Sequence, residues 1–312
     1  MGKGDRNRQQ NARARIAAQQ AAAKRAEARR RAFIVGGSIF AVIAVVVGLI
    51  LAKNLSKPST TASKGSAATA TLTASVASQL ANVPASEFNA VGAGPAGHDA
   101  ITPLTPVSGK APLTSGGKPE MLYVGAEYCP FCAAERWSMA LALSRFGTFS
   151  GLHLIRSDSN DSYSNTSTLT FYKSTYTSKY LVFTPVETTT TTKAPLQSPT
   201  SEQTALMNVY DVPPYVPSGD SGAFPFIDIG NKYIVDGSQY VPSVLGSTPN
   251  VDASHYGLTW SQIAQDLKNP QSLVAQSIIG TANHLTAAIC KATGGQPGSV
   301  CSSPAVTAIK QI

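Results

Sequence analysis

The first strong pattern in the chain is an apolar run at residues 33–52, which holds one polar side chain, Ser38, and no charge. About 20 apolar residues are enough for a helix to cross the hydrocarbon core of a bilayer. Three arginines precede the run at 29–31, and only Lys53 and Lys57 follow it closely. The positive-inside rule therefore predicts a single-pass helix in the cell membrane, with a cytoplasmic N-terminus and an extracytoplasmic C-terminal domain.

The segments around the run have simple compositions. A cleaved signal peptide is the alternative for the run itself, but the run exceeds the roughly 7–15 residues of a signal's apolar region. Residues 1–32 form a basic tail, which we expect either to lie on anionic inner-leaflet lipid or to act only as a topology signal. Residues 53–117 are rich in Ser, Thr, Ala, Pro and Gly and are typical of a solvated tether. Helical spacing of apolar residues predicts one short amphipathic helix in it, through Val76, Leu80, Val83, Phe88 and Val91, with packing on the domain as one option.

Strand-like and helix-like patterns alternate through residues 118–312 and predict one α/β domain. Residues 157–222 are rich in Ser, Thr and Tyr and indicate a β- and loop-rich insertion, and residues 271–312 form a C-terminal segment. The expected elements are a strand at 120–126, a helix at 130–146 ended by Gly147, a strand at 151–156, a polar loop at 157–168, one or two strands within 169–186, a helix at 201–210, a hairpin of 223–229 and 232–235 across Gly230–Asn231, a helix at 259–268 and a last helix at 271–290.

The net charge of +8 comes from the tail, because residues 1–31 hold ten basic and two acidic side chains and the rest of the chain is balanced. The domain therefore shows no sign of a basic face for nucleic acid, and no nucleic-acid partner is expected. A serine nucleophile elbow, a phosphate-binding loop and a pair of catalytic carboxylates are also missing from the sequence. No cofactor is expected either.

Cys129-Pro130-Phe131-Cys132 lies where the first predicted strand of the domain turns into a helix. Unpaired N–H groups and the dipole at a helix start favour a thiolate, so Cys129 is the predicted nucleophile. Cys132, one turn later, is the predicted resolving thiol. A lone C-x-x-C also occurs in zinc sites, but the order of strand, motif and helix favours thiol–disulfide chemistry.

The other two cysteines, Cys290 and Cys301, bracket a flexible loop near the C-terminus. We expect a structural disulfide that closes this loop and contributes at most ~3 kcal/mol, with a relay pair or free thiols as alternatives. A copper site would need thiols and a histidine together. His153, in a predicted core strand, and His255, in a loop, show no ligand spacing to the cysteine motif, so no metal is expected.

Pro225 begins the first strand of the predicted hairpin. A proline in this place resembles the cis-proline segment of thioredoxin-fold proteins, which packs beside the cysteine pair and presents backbone groups to an extended substrate. The resemblance implies a cis bond between Phe224 and Pro225, whereas a trans proline at a strand edge is the alternative. We expect these two residues to bind substrate together with Tyr128 and Phe131, which flank the thiols as an apolar rim.

Residues 120–149, with the motif at 125–137 and Leu-Ser-Arg-Phe-Gly at 143–147, resemble the domain-of-unknown-function 929 family. The resemblance extends over most of residues 76–305 and is specific at the cysteine motif. It implies a membrane-associated protein with a thioredoxin-like fold, more distantly similar to DsbA-like and thioredoxin-like oxidoreductases. The family has no settled activity.

Two features depart from those oxidoreductases. They carry a buried acid six residues before the nucleophile, and Tyr123 occupies that position here, which leaves Glu127 or water to move the proton. Cys132 and Pro225 are also 93 residues apart, an interval rich in strands and loops rather than the helices of DsbA. The surface that faces the substrate is therefore expected to differ from that of DsbA.

These observations predict a membrane-tethered, extracytoplasmic thiol–disulfide oxidoreductase that acts on the thiols or disulfides of exported proteins. Its expected partners are those proteins and a membrane redox partner of unspecified kind. The alternative is a non-catalytic thioredoxin-like module for binding or envelope assembly, in which the cysteine motif is a stable disulfide. Neither interpretation fixes the direction of electron transfer.

Overall fold

The structure, a computed structural model, describes residues 64–246 and 257–309. The predicted basic tail, the predicted transmembrane helix and His255 lie outside the described residues, as do the first residues of the predicted tether. The described part of the chain combines helices with a mixed central β-sheet. The expected α/β class is therefore confirmed.

Ten strands occur in the described residues, and six of them form the central sheet. In chain order they are β1 (Thr105–Pro106), β2 (Thr114–Ser115), β3 (Lys118–Gly125), β4 (Gly147–Ser150), β5 (His153–Arg156), β6 (Ser167–Thr170), β7 (Thr175–Ser178), β8 (Val182–Glu187), β9 (Phe226–Ile229) and β10 (Tyr233–Asp236). β3 lies inside the sheet, parallel to β8 and antiparallel to β9. β10 pairs with β9, β1 pairs with β10, and β2 pairs with the start of β3. The pairs β4–β7 and β5–β6 form two separate ribbons.

Eight α-helices occur in the described residues. They are α1 (Lys64–Ala81), α2 (Ala85–Val91), α3 (Pro130–Ser144), α4 (Ser201–Tyr210), α5 (Trp260–Asp266), α6 (Leu273–Ala292), α7 (Gly298–Cys301) and α8 (Pro304–Thr307). α3 follows β3 directly, and the chain then returns through the two ribbons to β8. This connection makes β3 and β8 parallel.

Alternating side chains along β3 divide the domain into two apolar layers. Met121 and Tyr123 belong to the main core, which α3 and α6 help to build. Leu122 and Val124 belong to a smaller core on the other face of the sheet, where Tyr210 of α4 packs. The end of β3 that carries the cysteine motif is thus held from both faces.

α6 is the central helix of the main core. Ser272 caps its first turn by accepting a hydrogen bond from the backbone N–H of Ala275 at 3.0 Å. Among residues 64–246 and 257–309, α6 is the one helix long and apolar enough to cross a membrane. Because 89% of its most apolar 18-residue stretch is buried inside the domain, packing in the core accounts for the hydrophobicity of α6.

The N-terminal boundary of the domain differs from the sequence prediction. Instead of one short helix within a tether that ends before residue 118, two helices, α1 and α2, are separated at Pro84. Val76, Leu80 and Phe88 of these helices belong to the main core, and the compact unit begins at Lys64. The prediction missed the first part of α1, because its alanines and threonines are small side chains that give a weak apolar pattern even on a helix that packs.

Other predicted elements differ at their ends. α3 stops at Ser144 rather than at 146, and Gly147 begins β4 instead of stopping the helix. The polar loop predicted to end at 168 is shorter, because β6 begins at Ser167. Three strands, β6, β7 and β8, replace the one or two expected there. Since β8 belongs to the central sheet, residues 157–222 are not a separate insertion.

The helix predicted at 201–210 and the hairpin across Gly230–Asn231 are confirmed. Gly230 and Asn231 both have positive φ angles, 65° and 54°, as the tight turns that join antiparallel strands require. The Asp228 carboxylate accepts a hydrogen bond from the Asn231 backbone N–H at 2.7 Å and holds the turn. The hairpin fixes where Pro225 enters the sheet.

Candidate active site

The cysteine pair lies where β3 gives way to α3. Cys129 occupies the N-cap position with extended backbone angles, and its Sγ accepts a hydrogen bond from the Cys132 backbone N–H at 3.2 Å. Pro130 takes the first helical position, where a missing N–H costs nothing. A cap usually presents a side-chain oxygen to these N–H groups. Here the sulfur takes that place, so the positive end of the helix dipole faces the Cys129 thiol.

Both thiols are free and little exposed, Cys129 at 6% and Cys132 at 0%. A hydrogen bond from the Cys132 thiol lowers the pKa of Cys129, with help from the Cys132 backbone N–H and the charge of Arg136. Burial raises the pKa of the Cys132 thiol well above its ordinary value. Cys129 therefore ionises first while Cys132 keeps its proton, which is the arrangement expected for a nucleophile and a resolving thiol.

The predicted proline segment lies directly beside Cys129. The Cys129 Sγ is 3.7 Å from the carbonyl oxygen of Phe224. The Phe224–Pro225 peptide bond is cis, as the sequence resemblance implies. The Pro225 carbonyl accepts a hydrogen bond from the Gly237 N–H at 2.9 Å, which ties the segment to the end of the hairpin. The fold thus brings together two motifs that lie far apart in the sequence.

Aromatic side chains pack around the cysteine pair. Tyr128 and Phe224 contact the small apolar cluster that contains both thiols. Phe131 is 37% exposed and meets the ring of Tyr163 edge-on, with 5.7 Å between ring centroids. The ammonium of Lys193 lies over the Tyr128 ring at 5.0 Å. Tyr163 and Lys193 are not among the residues that the sequence predicts at the site, because both come from polar loops that reach it only in the folded chain.

These two loops are tied to each other and to the site. The Asp158 backbone N–H donates to the Tyr128 carbonyl at 2.9 Å, and the Asp158 carboxylate binds the Lys193 ammonium at 3.0 Å. A cleft of about 680 Å³ runs beside Asp158, and Arg156 and Trp260 also line it. One polar loop therefore borders Phe131 through Tyr163, and the other borders Tyr128 through Lys193.

A buried ion pair, unforeseen in the sequence, lies behind the cysteines. Arg136 of α3 donates to the two carboxylate oxygens of Glu187 at 2.9 and 2.7 Å, and Nη2 also donates to the Ala126 carbonyl at 2.6 Å. Both charged side chains are fully buried. Arg136 stands one helical turn after Cys132, and its positive charge favours the thiolate forms of both cysteines.

Tyr123 lies six residues before Cys129, at the position where thioredoxin-like and DsbA-like oxidoreductases carry a buried acid. It is fully buried, and burial raises its pKa well above the ordinary value, so the hydroxyl keeps its proton. A Cβ placed on Gly125 would lie 2.2 Å from the Tyr123 Oη and 3.1 Å from the Cys132 Sγ, so both atoms border this glycine. The carboxylate of Glu127, the alternative proton carrier, accepts a hydrogen bond from Thr170 Oγ1 at 2.7 Å.

The two remaining cysteines form the disulfide that the sequence predicts. Cys290 at the end of α6 is bonded to Cys301 of α7, with Cα atoms 5.6 Å apart. Cys290 belongs to the main core, whereas Cys129 and Cys132 belong to a small separate cluster. The bridge therefore fastens the short C-terminal helices to the core helix.

The histidines lie in different settings. His153, expected in a core strand, is exposed on β5, because β5 belongs to an outer ribbon rather than to the central sheet. His284 is buried in α6, with its Nε2 3.2 Å from the Ala93 carbonyl oxygen. Within the described ranges 64–246 and 257–309, no group of three or more His, Cys, Asp or Glu side chains could hold a metal ion.

One protein family matches this chain. The sequence pattern of a domain of unknown function (DUF929) covers residues 107–291. The matched segment contains the cysteine pair, the Phe224–Pro225 segment and the Arg136–Glu187 ion pair, and it begins after α1 and α2. No curated protein and no solved structure matches the chain.

Proposed function

This chain belongs to the DUF929 family, and because that description assigns no activity, we propose a function from the site itself. The protein is a membrane-tethered, thioredoxin-like thiol–disulfide oxidoreductase that acts on exported proteins. The observation that carries this proposal is the position of Cys129. Its sulfur caps α3, accepts a hydrogen bond from the Cys132 N–H, and lies 3.7 Å from the carbonyl of Phe224.

The order of elements supports a thioredoxin-like fold. β3, the cysteine motif and α3 are followed by the parallel strand β8, then by the antiparallel hairpin β9–β10 led by Pro225, and then by α6. In the thioredoxin fold the proline segment presents backbone groups to an extended substrate beside the reactive sulfur. The Phe224 carbonyl beside Cys129 suits that role. The two ribbons between α3 and β8 are the main addition to the pattern.

The chemistry is two successive thiol–disulfide exchanges. In the reducing direction, the Cys129 thiolate attacks a substrate disulfide, forms a mixed disulfide and releases one substrate thiolate. Cys132 then attacks the Cys129 sulfur, which forms the Cys129–Cys132 disulfide and releases the second substrate thiolate. The substrate gains the two electrons that the cysteine pair loses, and the oxidising direction is the reverse. The exposed ring of Phe131 offers an apolar contact to the substrate chain.

The extracytoplasmic location is part of the proposal and rests on the apolar run at 33–52 and the arginines before it. The disulfide between Cys290 and Cys301 supports it, because such bridges persist in oxidising compartments. The basic tail would lie on anionic lipid of the inner leaflet. Protease added to intact cells should digest the domain, while a cytoplasmic protein stays protected as the control.

The reduction potential of Cys129–Cys132 tests the activity. The full-length protein is equilibrated with thiol–disulfide buffers, and its free thiols are counted by alkylation. We expect a potential above about −300 mV, whereas a lower value indicates a structural bridge and favours the non-catalytic binding or assembly module. In cells, Cys132→Ala should trap mixed disulfides with exported proteins, and Cys129→Ala combined with Cys132→Ala should trap none.

A further inference from the structure

The interior behind the cysteines holds two hydrogen-bond donors without partners among the described residues. One is the Tyr123 hydroxyl and the other is Nη1 of Arg136. Both side chains are fully buried, as is Cys132. Buried donors are rarely left unpaired, because each loses its hydrogen bonds to water on folding. Because the charge of Arg136 acts on the Cys132 thiol and the Tyr123 hydroxyl borders the same glycine as that thiol, these donors suit a place where negative charge appears during reaction.

The Tyr123 hydroxyl and the Cys132 thiol both border Gly125. A Cβ at this residue would overlap the hydroxyl at 2.2 Å and touch the Cys132 sulfur at 3.1 Å. Gly125 therefore leaves a space that the Tyr123 hydroxyl and the Cys132 sulfur both border, and no hydrogen bond joins the two groups in the structure. Arg136 completes the arrangement from α3, with its guanidinium carbon 5.9 Å from the centre of the Tyr123 ring.

We propose that the Tyr123 hydroxyl and the Arg136 guanidinium together stabilise the thiolate of Cys132, in place of the buried carboxylate of related oxidoreductases. This inference rests on the proposed function and deepens it. The titratable or charged groups that face Cys132 are Cys129 at the N-cap of α3, Arg136 on α3, Tyr123 on β3 and Tyr128 just before the cysteine motif. Glu187 of β8 is occupied by Arg136 through both of its carboxylate oxygens.

The Cys132 thiolate forms in both directions of the thiol–disulfide exchange. When the pair becomes oxidised, the Cys132 thiol first loses its proton to water, and its thiolate attacks Cys129 Sγ. The bond between Cys129 and the substrate sulfur breaks, and that sulfur leaves with the electron pair. When the pair becomes reduced, a substrate thiolate attacks Cys129 Sγ, and Cys132 leaves as the thiolate. Tyr123 donates a hydrogen bond in both cases and keeps its own proton.

Tyr123→Phe tests the proposal, because it removes the hydroxyl and keeps the ring. Tyr240→Phe is the matched control, since Tyr240 is also buried and donates to the Ala134 carbonyl of the same helix at 2.7 Å. The first measurement is the pKa of Cys132 in full-length protein that carries Cys129→Ala, followed by NMR of labelled cysteine Cβ. A lost hydrogen bond to a charged group should raise this pKa by about one pH unit, and Tyr240→Phe should leave it unchanged.

The second measurement is the release of glutathione from the mixed disulfide that Cys129 forms with oxidised glutathione. Tyr123→Phe should slow this release about three- to tenfold at neutral pH and shift its pH profile upward, without loss of thermal stability. An unchanged Cys132 pKa in Tyr123→Phe overturns the inference. If wild-type protein releases no glutathione, the proposed function fails instead, while the pKa measurement still tests Tyr123.

Discussion

Arg136 and Glu187 form an ion pair with no exposed surface, in which the guanidinium meets both carboxylate oxygens at 2.9 and 2.7 Å. The pair joins α3 to the last residue of β8, which lies opposite Gly125 of β3 in the parallel register. Burying two charges is costly even when they pair well. Its place directly behind the cysteines gives this pair an electrostatic role as well as a structural one.

Replacement of Arg136 alone should destabilise the domain strongly. In Arg136→Met, the Glu187 carboxylate is left buried without its partner, and we expect unfolding to need about 3–5 kcal/mol less. Arg136→Met combined with Glu187→Leu removes both charges and should recover most of that loss. Urea unfolding of the two variants measures the difference.

The same double variant separates the effect of the Arg136 charge on Cys129 from its effect on stability. Although it folds, it lacks the positive charge that favours the Cys129 thiolate, so the pKa of Cys129 should rise. The pH dependence of Cys129 alkylation measures this change against wild type. A folded double variant with an unaltered Cys129 profile would show that Arg136 has no influence on the nucleophile.

Gly125→Ala should displace the Tyr123 ring and lower the stability of the domain. The added methyl group would lie 2.2 Å from the Tyr123 Oη and 2.5 Å from its Cζ, so the ring has to move. Forcing atoms into a packed core costs about 1–3 kcal/mol, which thermal or urea unfolding would detect. Gly219→Ala is the control, because a Cβ placed on Gly219 would meet nothing within 4 Å. Equal stability of the two variants would contradict the packing described for Tyr123.

Glu135 should make the stability of the domain depend on pH. It is fully buried on α3, and burial raises its pKa from 4.5 to about 7. Between pH 4.5 and about pH 7, the Glu135 carboxyl group loses its proton in the unfolded chain and keeps it in the folded chain. The contribution of protonated Glu135 to stability is therefore fully present below about pH 4.5. It is lost as the pH rises towards 7, which lowers the free energy of unfolding by up to about 3 kcal/mol. Glu135→Gln should flatten this decline in urea unfolding measured across the range.

Other acids contribute to the same decline, because burial also raises the pKa of Asp211 and of Asp228 to about 7. In Glu135→Gln, the free energy of unfolding should therefore still decline with pH, but less steeply than in wild type. Glu202→Gln, on the exposed side of α4, is the control and should not reduce the slope. A decline as steep in Glu135→Gln as in wild type would show that Glu135 is ionised in the folded protein.

Removal of the C-terminal disulfide distinguishes a structural bridge from a relay. Cys290→Ala combined with Cys301→Ala opens a loop with a sequence separation of 11 residues and should cost about 3 kcal/mol of stability. The reduction potential and the glutathione turnover of Cys129–Cys132 should stay unchanged. Slower reoxidation of Cys129–Cys132 in the variant would instead support the relay.

The turn from strand to helix at Cys129 and the hairpin after Pro225 could be predicted because their determinants are local, whereas the place of Pro225 beside Cys129 followed from a resemblance. The strand before Cys129, the proline after it and the tight turn at Gly230–Asn231 each depend on neighbouring residues. The ion pair could not be predicted in this way. Arg136 and Glu187 are 51 residues apart, and each resembles an ordinary surface charge until β8 is known to lie beside β3.

The sequence predicts helix in the N-terminal segment but not its division into two helices or its place in the main core, for a related reason. Phe88 and Leu80 are buried, but they are separated by Pro84 and surrounded by small polar residues, so their pattern resembles that of a short isolated helix. Their partners lie far along the chain. Arg145 of the segment after α3 stacks on the Phe88 ring at 4.3 Å, and Asn283 of α6 donates to the Phe88 carbonyl at 3.0 Å.

The segment shared with the family is therefore shorter than the unit that folds. It spans residues 107–291, whereas Val76, Leu80 and Phe88 fill the core from before it and Cys301 completes a disulfide from beyond it. A fragment cut to the shared segment would keep every group described at the candidate active site. It would also carry an uncovered apolar groove and an unpaired thiol at Cys290, and should aggregate when expressed. A usable fragment has to begin at Lys64 or earlier and to extend past Cys301 to Ile309, which also belongs to the main core.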